Sequence, residues 1–593
     1  RYTFEEGGAA HLAVDLAYNI YHHPDKNVWT FVRVEDDSTV VGYRQTLGWG
    51  RTRLVHFAMR FDRPIQDFGQ RRGQTLAYNG FYRRFDEDHG FPEMAGRDVR
   101  VWLDFGEFEP GEELGVRVAL SSVSTDGAVA NLEAEAPTQD WDGTRAAADA
   151  AWEEALSLAS IDPLRPEDRT TFYTALYHSM LAPVVYEDVD GRYRGLDQNI
   201  HISDGFTNHT VFSLWDTYRA LHPWMNLTQP ERASDMVHSM LAHADESVHG
   251  MLPIWSHYAN ENWCMIGYHA VSVLADAVVT KVPNVPLDRA LDAAVTTASV
   301  PYFDGLGAYL EHGYVPDDLS HSSVSKTLEL AYDDWCIARL AEAAGRPEVM
   351  QAFDRRAGSY AAVWDARSGY MRPRLSDGSF RRSFDPLDTH GQGFIEGNAW
   401  NYGLYVPHAM DSLILWHGGP DAFVAHLDSL FTMELDDKYF AHTEDISRDG
   451  IIGNYVHGNE PGHHIAYMYN DAGAPEKTQE RVRMICDAMY GPDMLGLCGN
   501  DDAGQMSAWY LFSALGFYPV APGSGWYELG SPAVRAATVK VGDGRLLHID
   551  APGNDPGVTH VARVLWNGTP VTGHRIHARD LLQGGTLTFE MTK

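Results

Sequence analysis

Four segments of the sequence set carboxylates beside aromatic rings and glycines, the residue types that acid–base chemistry and hard-cation binding call for. In Phe394-Ile-Glu-Gly-Asn-Ala-Trp-Asn-Tyr, Glu396 stands among Phe394, Ile395 and Trp400, just before a helical start at Asn398. Apolar neighbours desolvate a carboxylate and raise its pKa, which suits Glu396 to give up a proton near neutral pH. The helix dipole alone also favours a glutamate there. In Gly496-Leu-Cys-Gly-Asn-Asp-Asp-Ala-Gly-Gln-Met-Ser, Asp501 and Asp502 open another helix, whose N-terminal amides would keep them ionised, as a general base must be. Helix capping is the competing reading.

The third segment, Tyr455-Val-His-Gly-Asn-Glu-Pro-Gly-His-His, offers the hard oxygens of Asn459 and Glu460 on a loop that Pro461 and Gly462 keep from regular helix. Oxygen ligands on a loop suit calcium better than zinc. His457, His463 and His464 could bond sugar hydroxyls or form a zinc site, but the HExxH pattern is absent. A purely structural loop is the third possibility. In Ser213-Leu-Trp-Asp-Thr-Tyr-Arg, Asp216 could grip vicinal hydroxyls with the Trp215 indole beneath the ring, or pair with Arg219 along a helix. Motifs for serine hydrolases, nucleotide binding and zinc ribbons are missing.

These segments need elements to hold them. From Val28 to about Leu120 apolar and polar residues alternate between Gly, Asp and Pro turns, the pattern of an antiparallel β-sandwich assigned to residues 1–143. Residues 144–165 turn to Ala, Glu and Leu and read as a linker helix. Beyond Pro166 apolar spacing predicts about twelve helices, among them Phe212–Trp224, Ala399–Trp416 and a short one near His463. Twelve helices make six hairpins, and an (α/α)6 barrel over 166–520 would gather the carboxylate loops around one funnel. Short strands return over 521–593.

Composition narrows the partners. The 593 residues exceed what one core supports, and 46 Lys+Arg against 82 Asp+Glu leave a formal charge of −36, which repels nucleic acid and anionic membranes. The 16 Trp, 29 Tyr and 28 His suit a surface that stacks on sugar rings and bonds hydroxyls. Cys264, Cys336, Cys486 and Cys498 lack CxxC spacing and are expected to be free thiols. No apolar run is long enough for a membrane helix, and no basic-then-apolar leader opens the chain, which begins in what reads as strand. A secreted monomer whose signal peptide is not in this chain is the expectation.

In this order the four segments closely resemble glycoside hydrolase family 92, the calcium-dependent exo-acting α-mannosidases. The likeness spans nearly the whole chain and extends to Leu252-Pro-Ile-Trp, Cys264-Met-Ile-Gly-Tyr-His-Ala, Val324-Ser-Lys-Thr-Leu-Glu-Leu-Ala-Tyr-Asp-Asp-Trp and Phe512-Ser-Ala-Leu-Gly-Phe-Tyr-Pro-Val. The resemblance implies a β-sandwich and an (α/α)6 barrel with the active site at their junction, and hydrolysis with inversion of a terminal α-linked mannose on N-glycans, mannans or mannosyl-phosphate-mannose caps. It implies Glu396 as the acid, Asp502 as the base assisted by Asp501, and Ca2+ held by Asn459 and Glu460. It makes Trp215, Asp216, Arg219, Trp400, His457, Gly458 and His463 substrate contacts.

Two departures stand out. Members that prefer α-1,2 linkages are expected to carry a His-Glu pair where this chain has His457-Gly458, which leaves α-1,2, α-1,3, α-1,6 and phosphodiester linkages open. Family members also carry an earlier strand-rich stretch. The alternatives are a metal-independent inverting hydrolase or phosphorylase on the same barrel, and a mannose-binding protein without turnover.

Overall fold

The computed structural model describes residues 1–20, 25–71, 90, 93–439 and 448–593. It divides into two compact units, one made of residues 1–153, 185–210 and 256–262, the other of 154–184, 211–255 and 263–593.

The first unit is a β-sandwich. One sheet runs Val116–Ser121, Arg53–Phe61, Thr39–Thr46, Asn27–Val34 and Glu93–Gly96, each strand antiparallel to the next; the other runs Gly8–Asp15, Arg100–Phe108 and Asp67–Arg71. Alternation dictates which side chains go inward: along Arg100–Phe108, Val101, Leu103, Phe105 and Phe108 are buried, and they meet Val32, Val40, Phe57 and Phe61 of the facing sheet. The segment 185–210 is tied into this unit by Asp188. Its buried carboxylate accepts from Ser121 Oγ at 2.7 Å and Asn131 Nδ2 at 2.9 Å. The helix Trp141–Leu156 buries none of its residues.

In the second unit, helices buried on every side alternate in sequence with amphipathic ones. All eight residues of Leu221–Thr228 and all eleven of Gln505–Leu515 are buried, as is most of Ala270–Thr280 and of Ser323–Ala343. Each adjoins a one-sided partner, such as Pro230–Glu246, Leu287–Thr297, or Pro347–Arg356, in which Phe353 alone is buried. A helix apolar all round needs neighbours all round, so this alternation makes an inner and an outer layer. The expected helical hairpins are present, with a difference. At two inner positions regular helix gives way to short 3-10 turns, Tyr402–Leu404 and Glu460–Gly462 followed by Ile465–Tyr467.

The causes are local. Asn398 and Asn401 turn their side chains onto backbone amides, Oδ1 of Asn398 accepting from Trp400 N at 3.0 Å and Asn401 N at 3.2 Å. Pro407 then stops the predicted Ala399–Trp416 helix, which survives as Met410–Trp416. Similarly, Phe212–Trp224 is a two-residue strand Phe212–Ser213, one turn Leu214–Thr217, and a helix Leu221–Thr228. The chemistry-bearing segments therefore sit on turns, not helices.

The chain ends in a six-stranded sheet, within which Arg545–Asp550 and Gly585–Thr592 run parallel. Its first strand, Ala159–Pro163, comes from the stretch that reads as linker. No disulfide joins the four cysteines. Among the described residues no helix is long and apolar enough to cross a membrane.

Candidate active site

Three carboxylates from three separate segments converge in the second unit. Asp216, Glu460 and Asp502 each offer an oxygen within 4.8 Å of the others. Asp216 lies on the single turn Leu214–Thr217, Glu460 opens the 3-10 turn Glu460–Gly462, and Asp502 precedes Gln505–Leu515. Asp216 and Glu460 are buried, whereas Asp502 is half-buried. The carboxylate of Asp216 accepts from Ser213 Oγ. Both oxygens of Glu460 are buried with no N–H or hydroxyl donor on them, and the side chain they face is the carboxyl of Asp502. Burial, then the charge of Asp502, pushes the Asp216 and Glu460 carboxyls well above the usual carboxylate range. A buried, like-charged trio of hard oxygens with no His or Cys among them fits a cation such as calcium.

Glu396 joins this group through Asn459. The Asn459 amide donates to Glu396 O and to Glu396 Oε2, both at 3.1 Å, fixing the backbone and the carboxyl together. Asn459 thus holds Glu396 by its amide N–H groups, while its neighbour Glu460 enters the trio. Glu396 is half-buried beside buried Phe394, and its charge is felt at Asp216. Glu396 has φ 48°, and Asp502, Ala503 and Gly504 have φ 45°, 59° and 95°. Left-handed backbone at non-glycine residues costs on the order of 1–3 kcal/mol each and persists where surrounding contacts impose it.

Asp501 is built differently. Its Oδ1 accepts from Ser507 Oγ at 2.8 Å and Ser507 N at 3.1 Å, and burial raises its pKa despite those bonds. It anchors the loop and the start of the helix.

The expected substrate contacts divide. His457 is fully buried, with Nδ1 against Tyr455 OH and Nε2 against Tyr490 OH, both at 2.8 Å. His463 is equally enclosed, Nε2 meeting His457 O at 3.0 Å and Nδ1 meeting Gln505 Nε2 at 3.1 Å. Burial leaves both rings neutral, His463 near a pKa of about 3. These histidines and His464, whose Nε2 meets Leu404 O at 3.1 Å, are framework. Trp215 is 3% exposed and gives its indole N–H to Tyr402 OH at 3.3 Å, so it is a wall and not an open stacking surface. Trp400 is half-buried, with one face covered by His426 at 4.2 Å between centroids.

Gly458 is packed backbone to backbone: a Cβ there would meet Cys498 O at 3.0 Å and Gly450 Cα at 3.2 Å, and one on Gly499 would meet Gly458 O at 2.6 Å. This contact accounts for glycine at 458 without reference to substrate.

Arg219 pairs with Glu329 and not with Asp216. Its Nη2 lies 3.3 Å from Glu329 Oε1, its Nε donates to Trp215 O at 2.9 Å, and its guanidinium lies among the rings of Trp215, Tyr218 and Tyr405. Glu329 also accepts from Tyr402 OH and lies 2.8 Å from His269 Nε2, whose Nδ1 is 2.8 Å from Asp333. Sequence reasoning passed over Glu329, although a glutamate inside the otherwise apolar Thr327-Leu-Glu-Leu-Ala run was a signal.

Burial disfavours the His269 imidazolium, but Asp333 and Glu329 outweigh it and raise its pKa to about 9. The ring faces those two carboxylates and stacks on Tyr218 at 4.5 Å, with Arg219 beyond Glu329. With a folded pKa above the ordinary 6.5, this stabilisation is complete below pH 6.5 and is lost as pH rises through 9. Thermal melts between pH 6.5 and 10 are therefore expected to fall more steeply for the wild type than for His269→Gln; parallel slopes would refute the assignment.

Comparison with known proteins follows the same division of the chain. The model of the glycosyl hydrolase family 92 N-terminal domain matches residues 1–121, and that of the family 92 catalytic domain matches residues 127–593. A family GH92 α-mannosidase of Bacteroides thetaiotaomicron, also solved in complex with mannoimidazole, is 41% identical, with all of this chain and 76% of that chain covered at a TM-score of 0.92. An inverting mannosidase of the same family and organism is 30% identical over 98% of this chain and 78% of that one, at a TM-score of 0.86. A secreted glycosidase of Arthroderma benhamiae, itself uncharacterized, is 25% identical over 528 residues; the match takes in 81% of this chain and spans 61% of that curated relative.

Proposed function

Because the chain belongs to glycosyl hydrolase family 92, we propose that this glycoside hydrolase is an exo-acting, calcium-dependent α-mannosidase that releases terminal α-linked mannose with inversion in a single displacement. One observation carries the reading: Glu396 is held by Asn459, whose chain neighbour Glu460 belongs to the largely buried trio Asp216, Glu460 and Asp502. The solved relatives support the sugar, and that described as inverting supports the stereochemistry.

Glu396, partly desolvated beside Phe394 and held at Oε2 by Asn459, gives its proton to the departing glycosidic oxygen. Asp502, the most exposed of the trio, takes a proton from the attacking water, and Asp501 holds its loop in place through Ser507. In inverting enzymes the two carboxyls stand about 6.5–9.5 Å apart, leaving room for that water. Asp216 and Glu460, with Asp502 at the edge, would hold the calcium. When bound, the ion supplies a chelate for vicinal sugar hydroxyls and offsets the charge of the trio. The two buried Glu460 oxygens, faced by the Asp502 carboxyl and by no N–H or hydroxyl donor, favour this over a metal-independent hydrolase or phosphorylase. The presence of Glu396 and Asp502 at one site favours turnover over simple binding.

The substrates are mannose-containing glycans: N-glycans, mannans or mannosyl-phosphate caps. The enzyme acts as a monomer outside the cell, in keeping with the secreted relative and with a charge of −36 that disfavours nucleic acid and anionic membranes.

The test is mannose release from α-1,2-, α-1,3- and α-1,6-mannobiose and a mannose-phosphate-mannose diester, each with calcium and with EDTA. Release in calcium that falls to background in EDTA and returns on re-addition is expected. Undiminished hydrolysis in EDTA would remove the metal, and no release from any member would remove the substrate class.

A further inference from the structure

We propose that Glu329, remote in sequence from every segment of the catalytic site, is a positioning residue that fixes the turn bearing Asp216 relative to the turn following Glu396. The inference rests on the functional reading above and adds a residue to it.

Glu329 is fully buried in the helix Ser323–Ala343, and its carboxylate is shared among three partners. The Arg219 guanidinium, at 3.3 Å, also grips the carbonyl of Trp215 at 2.9 Å, directly before Asp216 in the chain. The Tyr402 hydroxyl donates to Glu329 and accepts the Trp215 indole N–H at 3.3 Å. Tyr402 opens the 3-10 turn reached from Glu396 through Asn398 and Asn401. The third partner, His269, holds the other oxygen of Glu329 at 2.8 Å and is itself braced by Asp333. One carboxylate therefore connects the turn that bears Asp216, Leu214–Thr217, with the turn that follows Glu396, Tyr402–Leu404.

The charges alternate along the chain of contacts: Arg219 positive, Glu329 negative, His269 positive, Asp333 negative. Removing one member of such a buried series leaves its partner's charge uncompensated. A general structural ion pair would not need to join both turns, whereas here the hydroxyl of Tyr402 closes the link between Trp215 and Glu329. Two of the motifs that accompany the active-site segments in sequence, Cys264-Met-Ile-Gly-Tyr-His-Ala and Val324-Ser-Lys-Thr-Leu-Glu-Leu-Ala-Tyr-Asp-Asp, thereby acquire a role, since they supply His269 and the Glu329–Asp333 pair.

The experiment uses the full chain with two variants. Glu329→Gln keeps the size of the side chain and removes its charge; Tyr402→Phe deletes one hydroxyl and serves where Glu329→Gln fails to fold. Three quantities are read: melting temperature, calcium affinity by titration calorimetry with CaCl2 alone, and kcat and KM on an α-mannobiose that the wild type cleaves. Partners that orient a site's ligands are worth on the order of 10–100-fold in affinity or activity. The expected result is a folded variant with kcat or calcium affinity lowered within that range and KM changed far less than kcat. Folded variants with wild-type kcat and calcium affinity would overturn the proposal. So would a Glu329→Gln variant that only unfolds while Tyr402→Phe matches the wild type. A wild type that binds no calcium and cleaves no α-mannoside would instead defeat the functional reading, and the positioning role with it.

Discussion

Asp502→Asn is expected to lower kcat on an α-mannobiose by about 10²–10⁴-fold, the range that a positioned general base contributes. The amide is nearly isosteric but cannot take a proton from water. KM should move much less than kcat, because activation of water is felt in the transition state and hardly in the ground state. Asp502 also lies within the trio proposed to hold calcium, so kinetics are to be compared at saturating calcium, where weakened metal binding no longer contributes. Asp501 and Asp502 are both half-buried, and what favours Asp502 is that Asp501 Oδ1 is taken up by Ser507. Retained turnover would transfer the base role to Asp501.

Glu396→Gln is expected to cause a loss of similar size that depends on the leaving group. A sugar alkoxide needs a proton as it departs, and here the fall in kcat should again lie in the range of about 10²–10⁴-fold. An aryl group such as dinitrophenolate, or a phosphate, leaves without that help, so on such mannosides the variant should lose far less. Steady-state kinetics on a mannobiose and on a dinitrophenyl α-mannoside decide the matter. Equal losses on both would point to a structural effect of disturbing the left-handed backbone at 396, where φ is 48°.

Both variants address residues that the sequence made visible, and the reason is chemical. Glu396 and Asp502 stand in Gly- and Asn-rich stretches that are poor regular structure, so their carboxylates stood out against helical neighbours. The β-sandwich could be read from alternation, and the helical unit from its run of apolar helices. What stayed hidden depended on contacts distant in sequence. Asp216 could be read as a sugar ligand or as half of a pair with Arg219, and only the fold brings it to Glu460 and Asp502 while giving Arg219 to Glu329. His457 and His463 read as polar groups for a sugar because histidine is versatile; their hydrogen bonds prove to be directed inward. Trp215 looked like a stacking platform by type, but three-percent exposure makes it a wall. The break at Tyr402–Leu404 falls inside what apolar spacing reads as one helix, because that spacing cannot register side chains such as Asn398 and Asn401 that compete for backbone amides, whereas Pro461 and Gly462 already mark Glu460–Gly462 as irregular.

Gly458 has a consequence for how this enzyme could change. A carboxylate next to His457 is the expected difference between this chain and members that favour α-1,2 linkages, which makes Gly458→Glu look like a one-step route to that preference. The close approach of Gly450, Gly458 and Gly499 argues otherwise. A Cβ at 458 meets the Cys498 carbonyl at 3.0 Å and Gly450 Cα at 3.2 Å, so the neighbouring backbone has to yield by a few tenths of an ångström to admit a side chain. Change at this position is coupled to its surroundings: Gly458→Glu alone is expected to strain the contact with Cys498 and Gly450, and a side chain there fits better once the loops around 450 and 499 have altered as well.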